Sequence, residues 1–314
     1  MTRLGRFAWL VLLWNMVVIL WGAFVRATGS GAGCGAHWPL CNGEVVPRNP
    51  ALGTMIEFTH RATSGVALLL VVALALGVFR DRPKGHPARR AASAALVFIL
   101  TEAAVGAGLV LFRLVAENES VARALFMAGH LANTFLLLAA LALTAHWCTR
   151  DAALHRAALA SDGWAFGLGA LALVGGGKSG ALAALGDTLY PAQSLLGGLA
   201  QDLSPTAGFL VKLRVAHPVL ALAGVLIVVF VAARVLQATD DGATRRVAWA
   251  LPALALAQVA AGLANVALLA PVWMQILHLL LADALWIAFV LLAAHALAAP
   301  RPAGVHEEAK RAAA

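Results

Sequence analysis

Charged residues are scarce in this sequence. Only 12% of its 314 residues are Asp, Glu, Lys or Arg, whereas 61% are hydrophobic, and soluble domains usually carry about 25% charged residues. The mean hydropathy is +0.84. A soluble globular protein is therefore excluded, and the length allows eight membrane-spanning helices, since each needs about 20 apolar residues.

Several common motifs are also missing. The sequence contains no Walker-type phosphate loop, no dinucleotide-binding glycine fingerprint and no HExxH zinc motif. Lys and Arg outnumber Asp and Glu by 23 to 15, but they fall at the ends of apolar stretches, where the positive-inside rule places them. We interpret the positive charge as a determinant of membrane topology and expect no nucleic-acid partner.

Eight apolar stretches dominate the chain. They are runs of Ala, Leu and Val without the alternation of an outer-membrane barrel, and helices satisfy their own backbone groups in lipid. The sequence therefore predicts an all-α membrane protein with eight spans. Their approximate bounds are 7–25, 55–79, 91–112, 122–147, 162–177, 209–233, 247–269 and 273–297.

The distribution of basic residues predicts the orientation of the spans. With the N-terminus in the cytoplasm, 15 of the 23 Lys and Arg residues fall on the inner side and seven on the outer side. We therefore expect a bacterial-type inner (plasma) membrane protein with both termini in the cytoplasm. Two long external loops result, 26–54 and 178–208, and the second is expected to contain short surface helices.

Cys34 and Cys41 both lie in the first external loop, in the segment GCGAHWPLCNG. An oxidising compartment permits a disulfide there. The spacing leaves two interpretations open: a bridge that closes the loop, or a redox-active pair that exchanges electrons with a partner thiol protein.

An internal repeat divides the chain into two halves. Three pairs of residues recur at offsets of 148 to 157 on corresponding spans: Glu102 and Gln258, His60 and His217, and His130 and His278. Each half keeps the same orientation. We predict two tandem four-helix bundles, residues 1–156 and 157–314, related by a pseudo-twofold axis along the membrane normal.

Four histidines lie within spans, on the second, fourth, sixth and eighth: His60, His130, His217 and His278. At 1.5 Å per residue, each ring lies roughly 7 to 12 Å below the outer surface. An ionisable side chain in lipid is costly unless it is paired or ligated. Zinc and copper sites usually need three or four ligands, but each half offers two histidines, which can bind an iron porphyrin axially. The sequence predicts two haem sites, noncovalent because the CxxCH motif is absent.

Basic residues near the outer surface are candidates to bind haem propionates. Lys212 and Arg214 precede His217 by five and three residues, and Lys178 is expected to begin the adjacent loop. The alternative is that these side chains simply extend to the membrane interface.

The two halves differ in their acidic residues. Glu57 precedes His60 by three residues, on the same helical face, and Arg61 follows directly. A carboxylate one turn from a haem ligand suits proton-coupled chemistry, but Glu57 could instead pair with Arg61. Glu102 lies near the middle of the third span, where packing polarity and proton delivery are equally good interpretations.

Together these features resemble the haem A synthases of aerobic respiration. The segment TGSGAGCGAHWPLCNG resembles the first external loop of that family, EFTHR resembles its signature on the second span, and the four histidines recur on the even spans. The resemblance covers nearly the whole chain. It implies an eight-helix pseudo-twofold bundle that oxidises the C8 methyl of haem O to a formyl group, giving haem A for cytochrome oxidase.

The resemblance also implies roles for individual residues. Glu57 is the candidate catalytic residue, and Arg61 is a charge partner or propionate partner. The haem b ligands would be His217 and His278, the substrate haem O would be held by His60 and His130, and the loop disulfide would join Cys34 and Cys41.

The implied reaction is two successive hydroxylations of the methyl group, giving a geminal diol that loses water, with electrons entering through the haem b half. Implied partners are a haem O synthase and cytochrome oxidase assembly factors. The electron donor and a homo-oligomeric state stay open. Two alternatives remain: a bis-histidine dihaem membrane cytochrome that relays electrons, and a haem transporter or chaperone.

Overall fold

The computed structural model describes residues 1–150 and 156–298. Within these ranges the protein is helical and forms no strand. The predicted cytoplasmic C-terminal tail, with Arg301, Lys310 and Arg311, lies outside the described residues. The helices are α1 (Arg3–Ala27), α2 (Leu52–Asp81), α3 (Pro87–Leu111), α4 (Val121–Thr149), α5 (Arg156–Leu189), α6 (Leu195–Asp202), α7 (Phe209–Ala238), α8 (Gly242–Ala267) and α9 (Val272–Ala296).

Eight of these helices are long and apolar enough to cross a membrane, and only α6 is short. The prediction of an all-α protein with eight spans is confirmed. Most helices begin or end within about five residues of the apolar stretches in the sequence, because polar caps extend beyond the apolar region. In α4, for example, the Ser120 hydroxyl accepts a hydrogen bond from the backbone N–H of Arg123 at 3.2 Å.

The predicted end of the fifth span is wrong. It was expected at residue 177, with Lys178 beginning a loop, but α5 continues to Leu189. The run Gly175–Gly177 suggests a break, yet these glycines allow close helix packing: a Cβ at Gly177 would lie 2.8 Å from the Phe135 ring. Since lipid offers no partners for freed backbone groups, the helix continues. The external loop is therefore shorter, and α6 confirms the expected surface helix within it.

The long helices form two rings with the same order of neighbours. In the first ring, α1 contacts α2 and α4, and α3 also contacts α2 and α4. In the second ring, α5 contacts α7 and α9, and α8 also contacts α7 and α9. The rings meet where α4 and α1 pack against α9 and α5. The division into domains at residue 156 and the pseudo-twofold axis stay predictions.

Hydrogen bonds of Trp286 and Arg26 are among the polar contacts that join the rings in the described part of the chain. The indole N–H of Trp286 in α9 donates to the backbone carbonyl of Phe135 in α4 at 2.6 Å. Nη1 of Arg26, at the end of α1, donates to the carbonyl of Ala184 in α5 at 2.7 Å, and its Nη2 donates to Oε1 of Gln275 in α9 at 2.9 Å. We call the end of the bundle that carries Arg26 and the 28–51 loop the disulfide end.

Candidate functional site

The four intramembrane histidines lie at similar depths. His60, His130, His217 and His278 follow the first residues of α2, α4, α7 and α9 by six to nine positions. At 1.5 Å per residue, this places each ring about 9 to 14 Å from the disulfide end. The predicted level of the histidines therefore agrees with the helix bounds, although the helices begin slightly earlier than expected.

His217 and His278 face each other in the second ring of helices. Their ring centroids lie 6.3 Å apart, with the planes at 80°. A metal ion binds an imidazole nitrogen at about 2 Å, and the ring centre is about 1 Å further, so two axial imidazoles have centres about 6 Å apart. The pair therefore has dimensions that fit axial ligation of a haem iron.

Ser179 orients the His217 ring. Its hydroxyl donates to the carbonyl of Gly176 at 2.8 Å and lies 3.0 Å from Nδ1 of His217. Because the hydroxyl proton is already used, the serine oxygen accepts from Nδ1–H of the histidine. Nε2 is then unprotonated, which is the form that binds a metal.

His278 has an amide neighbour. Nε2 of Gln258 in α8 lies 3.4 Å from Nε2 of His278, and Oε1 of Gln258 is buried without a hydrogen-bond partner among the described residues. The side-chain amide of Gln258 must therefore move away before Nε2 of His278 can bind a metal.

The first histidine pair has a carboxylate neighbour instead. Nδ1 of His130 lies 3.2 Å from Oε1 of Glu102 in α3. Nδ1 of His60 and Nδ1 of His130 are both buried without a hydrogen-bond partner in the described part of the chain, so the contact of His130 with Glu102 is one of charge. The helix around His60 satisfies its own polar groups, since the Ser64 hydroxyl donates to the His60 carbonyl at 2.7 Å.

Three of the histidine rings lie against glycines of neighbouring helices. A Cβ at Gly22, Gly180 or Gly262 would lie 2.9, 3.0 and 3.1 Å from Cε1 of His60, His217 and His278, respectively. A larger residue would displace each ring. The sequence analysis did not single out these glycines; a glycine on the adjacent span at histidine depth is the signal that could have revealed all three.

Glu57 ties the disulfide loop to α2. Its side chain is 3% exposed; Oε2 accepts the backbone N–H of Cys34 at 2.8 Å, and Oε1 accepts Nε–H of Arg61 at 3.1 Å. Nη1 of Arg61 also donates to the carbonyls of His37 and Leu40. The ion pair between Glu57 and Arg61, which the sequence left open, is present, and both carboxylate oxygens are used.

Cys34 and Cys41 form the disulfide, which confirms the predicted bond. Both residues are buried, and the loop packs closely on the first turn of α2: the hydroxyl of Thr54 donates to the Gly33 carbonyl at 2.8 Å. A Cβ at Gly33 would lie 2.5 Å from the Gly53 carbonyl oxygen, so only glycine fits this approach. The loop therefore covers the disulfide end of the first ring.

The basic candidates differ in their surroundings. Arg214 is buried and bonds to Asp202 at 2.6 Å, to Gln201 at 2.8 Å and to the Tyr190 carbonyl at 3.0 Å. Lys212 is exposed, and its Nζ donates to the Pro205 carbonyl at 3.2 Å. Arg214 thus holds α6 against α7.

Lys178 lies inside α5 rather than at the start of a loop. It is exposed, and it shares a helix face with the exposed residues Leu171 and Trp164, which precede it by seven and fourteen positions. The adjacent residues Ser179 and Gly180 face His217 instead. Lys178 therefore lies on a different face of α5 from the residues that contact His217.

The sequence analysis did not predict the environments of Arg26 and Asp283. Arg26 was counted only as an external charge, but it joins α1 to α5 and α9. Asp283 in α9 is fully buried, and both of its carboxyl oxygens are without a hydrogen-bond partner among the described residues. A charged residue in the middle of an apolar stretch is the signal that could have revealed Asp283.

Comparison with known proteins gives one family and several relatives. Residues 5–290 match the COX15-CtaA family model, described as cytochrome oxidase assembly protein. A protein of Thermus thermophilus named protoheme IX farnesyltransferase is 56% identical over 296 residues, which are 94% of this chain and 49% of that protein. This chain thus spans about half the length of that relative.

Shorter matches join the chain to proteins named heme A synthase. The protein of Alkalihalophilus pseudofirmus is 43% identical over 97 residues, which are 31% of this chain and 33% of that protein. The protein of Exiguobacterium sibiricum is 43% identical over 114 residues, which are 35% of this chain and 37% of that protein.

Proposed function

Because the chain belongs to the COX15-CtaA family of cytochrome oxidase assembly proteins, we propose that it is a haem A synthase that oxidises the C8 methyl of haem O to a formyl group. The observation that carries the proposal is the His217–His278 pair, whose 6.3 Å centroid separation fits axial ligation of a haem iron. The relatives named heme A synthase support the same activity.

In this proposal His217 and His278 hold haem b, which supplies electron transfer when it is bound. Ser179 fixes the proton of His217 on Nδ1, and Gly180 and Gly262 leave room for the two rings. These residues therefore orient a ligand pair without taking part in the oxidation themselves.

His60 and His130 hold the substrate haem O in the first ring of helices. Glu57, one turn from His60, is the proposed catalytic carboxylate, and its bonds to Cys34 and Arg61 keep it as a hydrogen-bond acceptor beneath the disulfide loop. The loop excludes water from this end of the site. Only the first half has such a carboxylate, because Arg214 occupies the corresponding position before His217.

Basic side chains at the disulfide end would bind the anionic propionates of the two haems. Exposed Lys212 is the strongest candidate partner, since its ammonium makes a single weak bond to a carbonyl. Arg61 and Arg214 already donate hydrogen bonds to protein groups, so each would have to bind a propionate in addition to these partners. Lys178 is a weaker candidate, because its neighbours Ser179 and Gly180, rather than Lys178 itself, contact His217.

The orientation proposed for the protein places the disulfide end outside the cell and both termini in the cytoplasm of a bacterial-type cell, in its inner membrane. The excess of Lys and Arg on the opposite side supports this arrangement. The oxidising outer compartment also suits the Cys34–Cys41 disulfide.

The Thermus relative supports a partner rather than a second activity. Its printed name describes farnesyl transfer to protoheme IX, but about half of that protein lies outside the match. Farnesylation of protohaem gives haem O, the substrate proposed here. We therefore propose that farnesyl transfer belongs to the half of the relative outside the match. In this proposal a haem O synthase delivers its product to the region described here, and cytochrome oxidase assembly factors receive haem A.

The test is expression of the full chain in cells that make haem O but no haem A, followed by haem extraction and mass spectrometry. We expect haem A to appear. A folded protein loaded with haem b that yields no formyl product would refute the synthase and favour a dihaem cytochrome. Conversion of protohaem to haem O in cells without a farnesyltransferase would instead assign the transferase activity to this chain.

Two variants separate the proposed roles. Glu57→Ala is expected to abolish haem A while haem b stays bound, and His217→Ala is expected to lose haem b. Glu44→Ala is the matched control, because Glu44 is an exposed carboxylate of the disulfide loop whose side chain accepts the N–H of Arg48 at 3.0 Å. Normal turnover in Glu57→Ala would show that this carboxylate has only a structural role.

A further inference from the structure

Glu102 and Gln258 are aligned residues with different chemistry. They lie on α3 and α8 at an offset of 156, and each is next to the second histidine of its half. His130 therefore has a carboxylate neighbour, whereas His278 has a neutral amide. The two proposed haem sites differ at a side chain that would not itself bind iron.

The Glu102 carboxylate is fixed from both sides. The Thr134 hydroxyl donates to Oε1, and the Asn133 amide donates to Oε2 at 2.5 Å. Asn133 is held in turn, because its amide donates to the Phe98 carbonyl at 2.8 Å and its Oδ1 accepts the Thr101 hydroxyl at 2.6 Å. Glu102 therefore has a single orientation, with Oε1 also 3.2 Å from Nδ1 of His130.

Gln258 has no comparable support. Its amide lies 3.4 Å from Nε2 of His278, and its Oε1 is buried without a partner in the described part of the chain. The amide carries no net charge. It therefore cannot strengthen the basicity of His278 as a carboxylate would strengthen that of His130.

We propose that Glu102 is a positioning residue whose negative charge, 3.2 Å from Nδ1 of His130, favours a proton on that nitrogen and leaves Nε2 for the substrate iron. This charge makes His130 a stronger donor than His278, whose Nδ1 is buried without a partner among the described residues. A carboxylate bonded to the outer N–H of a metal-binding histidine fixes the tautomer and raises ligand basicity. A stronger donor favours the oxidised iron. The first haem site therefore has a lower reduction potential than the second, because the aligned residues Glu102 and Gln258 differ in charge.

This inference rests on the proposed function because it requires a haem at the first histidine pair. The experiment uses the full-length protein with His217→Ala and His278→Ala, so that added haemin can bind only at His60 and His130. In this background, Glu102→Gln is expected to raise the midpoint potential measured by optical redox titration. Glu102→Asp, which keeps the charge on a shorter side chain, is expected to fall between the two.

A control in the second half separates the charge effect from general disturbance of a haem site. With His60→Ala and His130→Ala, Gln258→Ala is expected to leave the midpoint potential of haemin bound at His217 and His278 unchanged, because Gln258 contacts Nε2 rather than Nδ1 of His278 and is uncharged. Bound haemin whose potential is unchanged in both Glu102→Gln and Glu102→Asp would overturn the inference while leaving the proposed function intact. If His60 and His130 fail to bind haemin, both the inference and the proposed substrate site are overturned. The haem A assay tests the proposed function independently of this redox measurement.

Discussion

The indole of Trp286 stacks on the ring of Phe135, with centroids 5.4 Å apart, while its N–H bonds to the Phe135 carbonyl. This contact joins α9 to α4 in the middle of the molecule. Phe289 extends the stack on the other side of the indole at 6.3 Å. The two rings of helices are therefore held together by aromatic packing as well as by a hydrogen bond.

Replacing Trp286 tests how much this junction contributes to stability. Trp286→Phe keeps the stack and loses a hydrogen bond worth about 1 kcal/mol, whereas Trp286→Ala creates a cavity that costs about 3–5 kcal/mol. Thermal unfolding in detergent should therefore rank wild type above Trp286→Phe and Trp286→Phe above Trp286→Ala. Trp249→Ala is the control, because Trp249 is 61% exposed. Equal losses in the two alanine variants would contradict the central role of Trp286.

Gly262 is expected to set the space available to His278. In Gly262→Ala the new Cβ lies 3.1 Å from the ring, and overpacking of this kind costs about 1–3 kcal/mol. Haem bound at the second histidine pair, measured by absorbance, should therefore be weaker by about tenfold or more. The matched control is Gly106→Ala at the aligned position, where a Cβ meets no described atom within 4 Å. Similar haem loss in both variants would show that the effect comes from a general disturbance of the helix and not from displacement of the His278 imidazole.

The bond between Glu57 and the backbone of Cys34 is expected to protect the disulfide. Glu57→Ala leaves a buried N–H without its acceptor and frees Arg61, so the loop should open more often. Reduction of Cys34–Cys41 by dithiothreitol, followed by alkylation and mass spectrometry, should be several-fold faster than in wild type. Glu44→Ala should keep the wild-type rate. An unchanged rate in Glu57→Ala would show that the loop is held by its other contacts.

Asp241 links stability to pH at the start of α8. It accepts hydrogen bonds from the backbone N–H and the hydroxyl of Thr244, at 2.8 and 2.7 Å, and these bonds hold the pKa of its carboxyl below the usual value. Its contribution is therefore present above the unfolded-state pKa and is lost as the pH falls through the folded-state pKa. Asp241→Ala should cost about 0.5–2 kcal/mol at neutral pH. In thermal unfolding, the gap to wild type should close in acid; a constant gap would contradict the charge effect.

Much of the fold could be predicted because a bilayer permits few kinds of backbone structure. Each span needs a continuous apolar run, so seven of the eight stretches agree closely with helices. The exception, α5, contains glycines at which water-soluble helices often stop. In lipid the same glycines serve as packing positions, as at Gly177 against Phe135, and the sequence pattern alone does not distinguish the two uses.

The candidate site was predictable only in part. The repeat identified the four histidines, and EFTHR drew attention to Glu57 and Arg61, because charged groups are few in such a chain. The contacts were not predictable, since they depend on which helices meet. The bond from Glu57 to Cys34 crosses 23 positions, and the bond from Thr134 to Glu102 crosses 32. Lys178 was expected at the start of a loop because the fifth span was predicted to end at residue 177, whereas α5 continues to Leu189.

Arg26 also constrains the order in which the chain can fold. The guanidinium at the end of α1 finds a partner in Gln275, which is 249 positions away along the chain. Such distant contacts form slowly, because the intervening chain must be in place before they stabilise anything. The contacts of α1 with α2 and α4 can therefore form before Arg26 bonds to α5 and α9. A single helix thus takes part in both an early and a late stage of assembly.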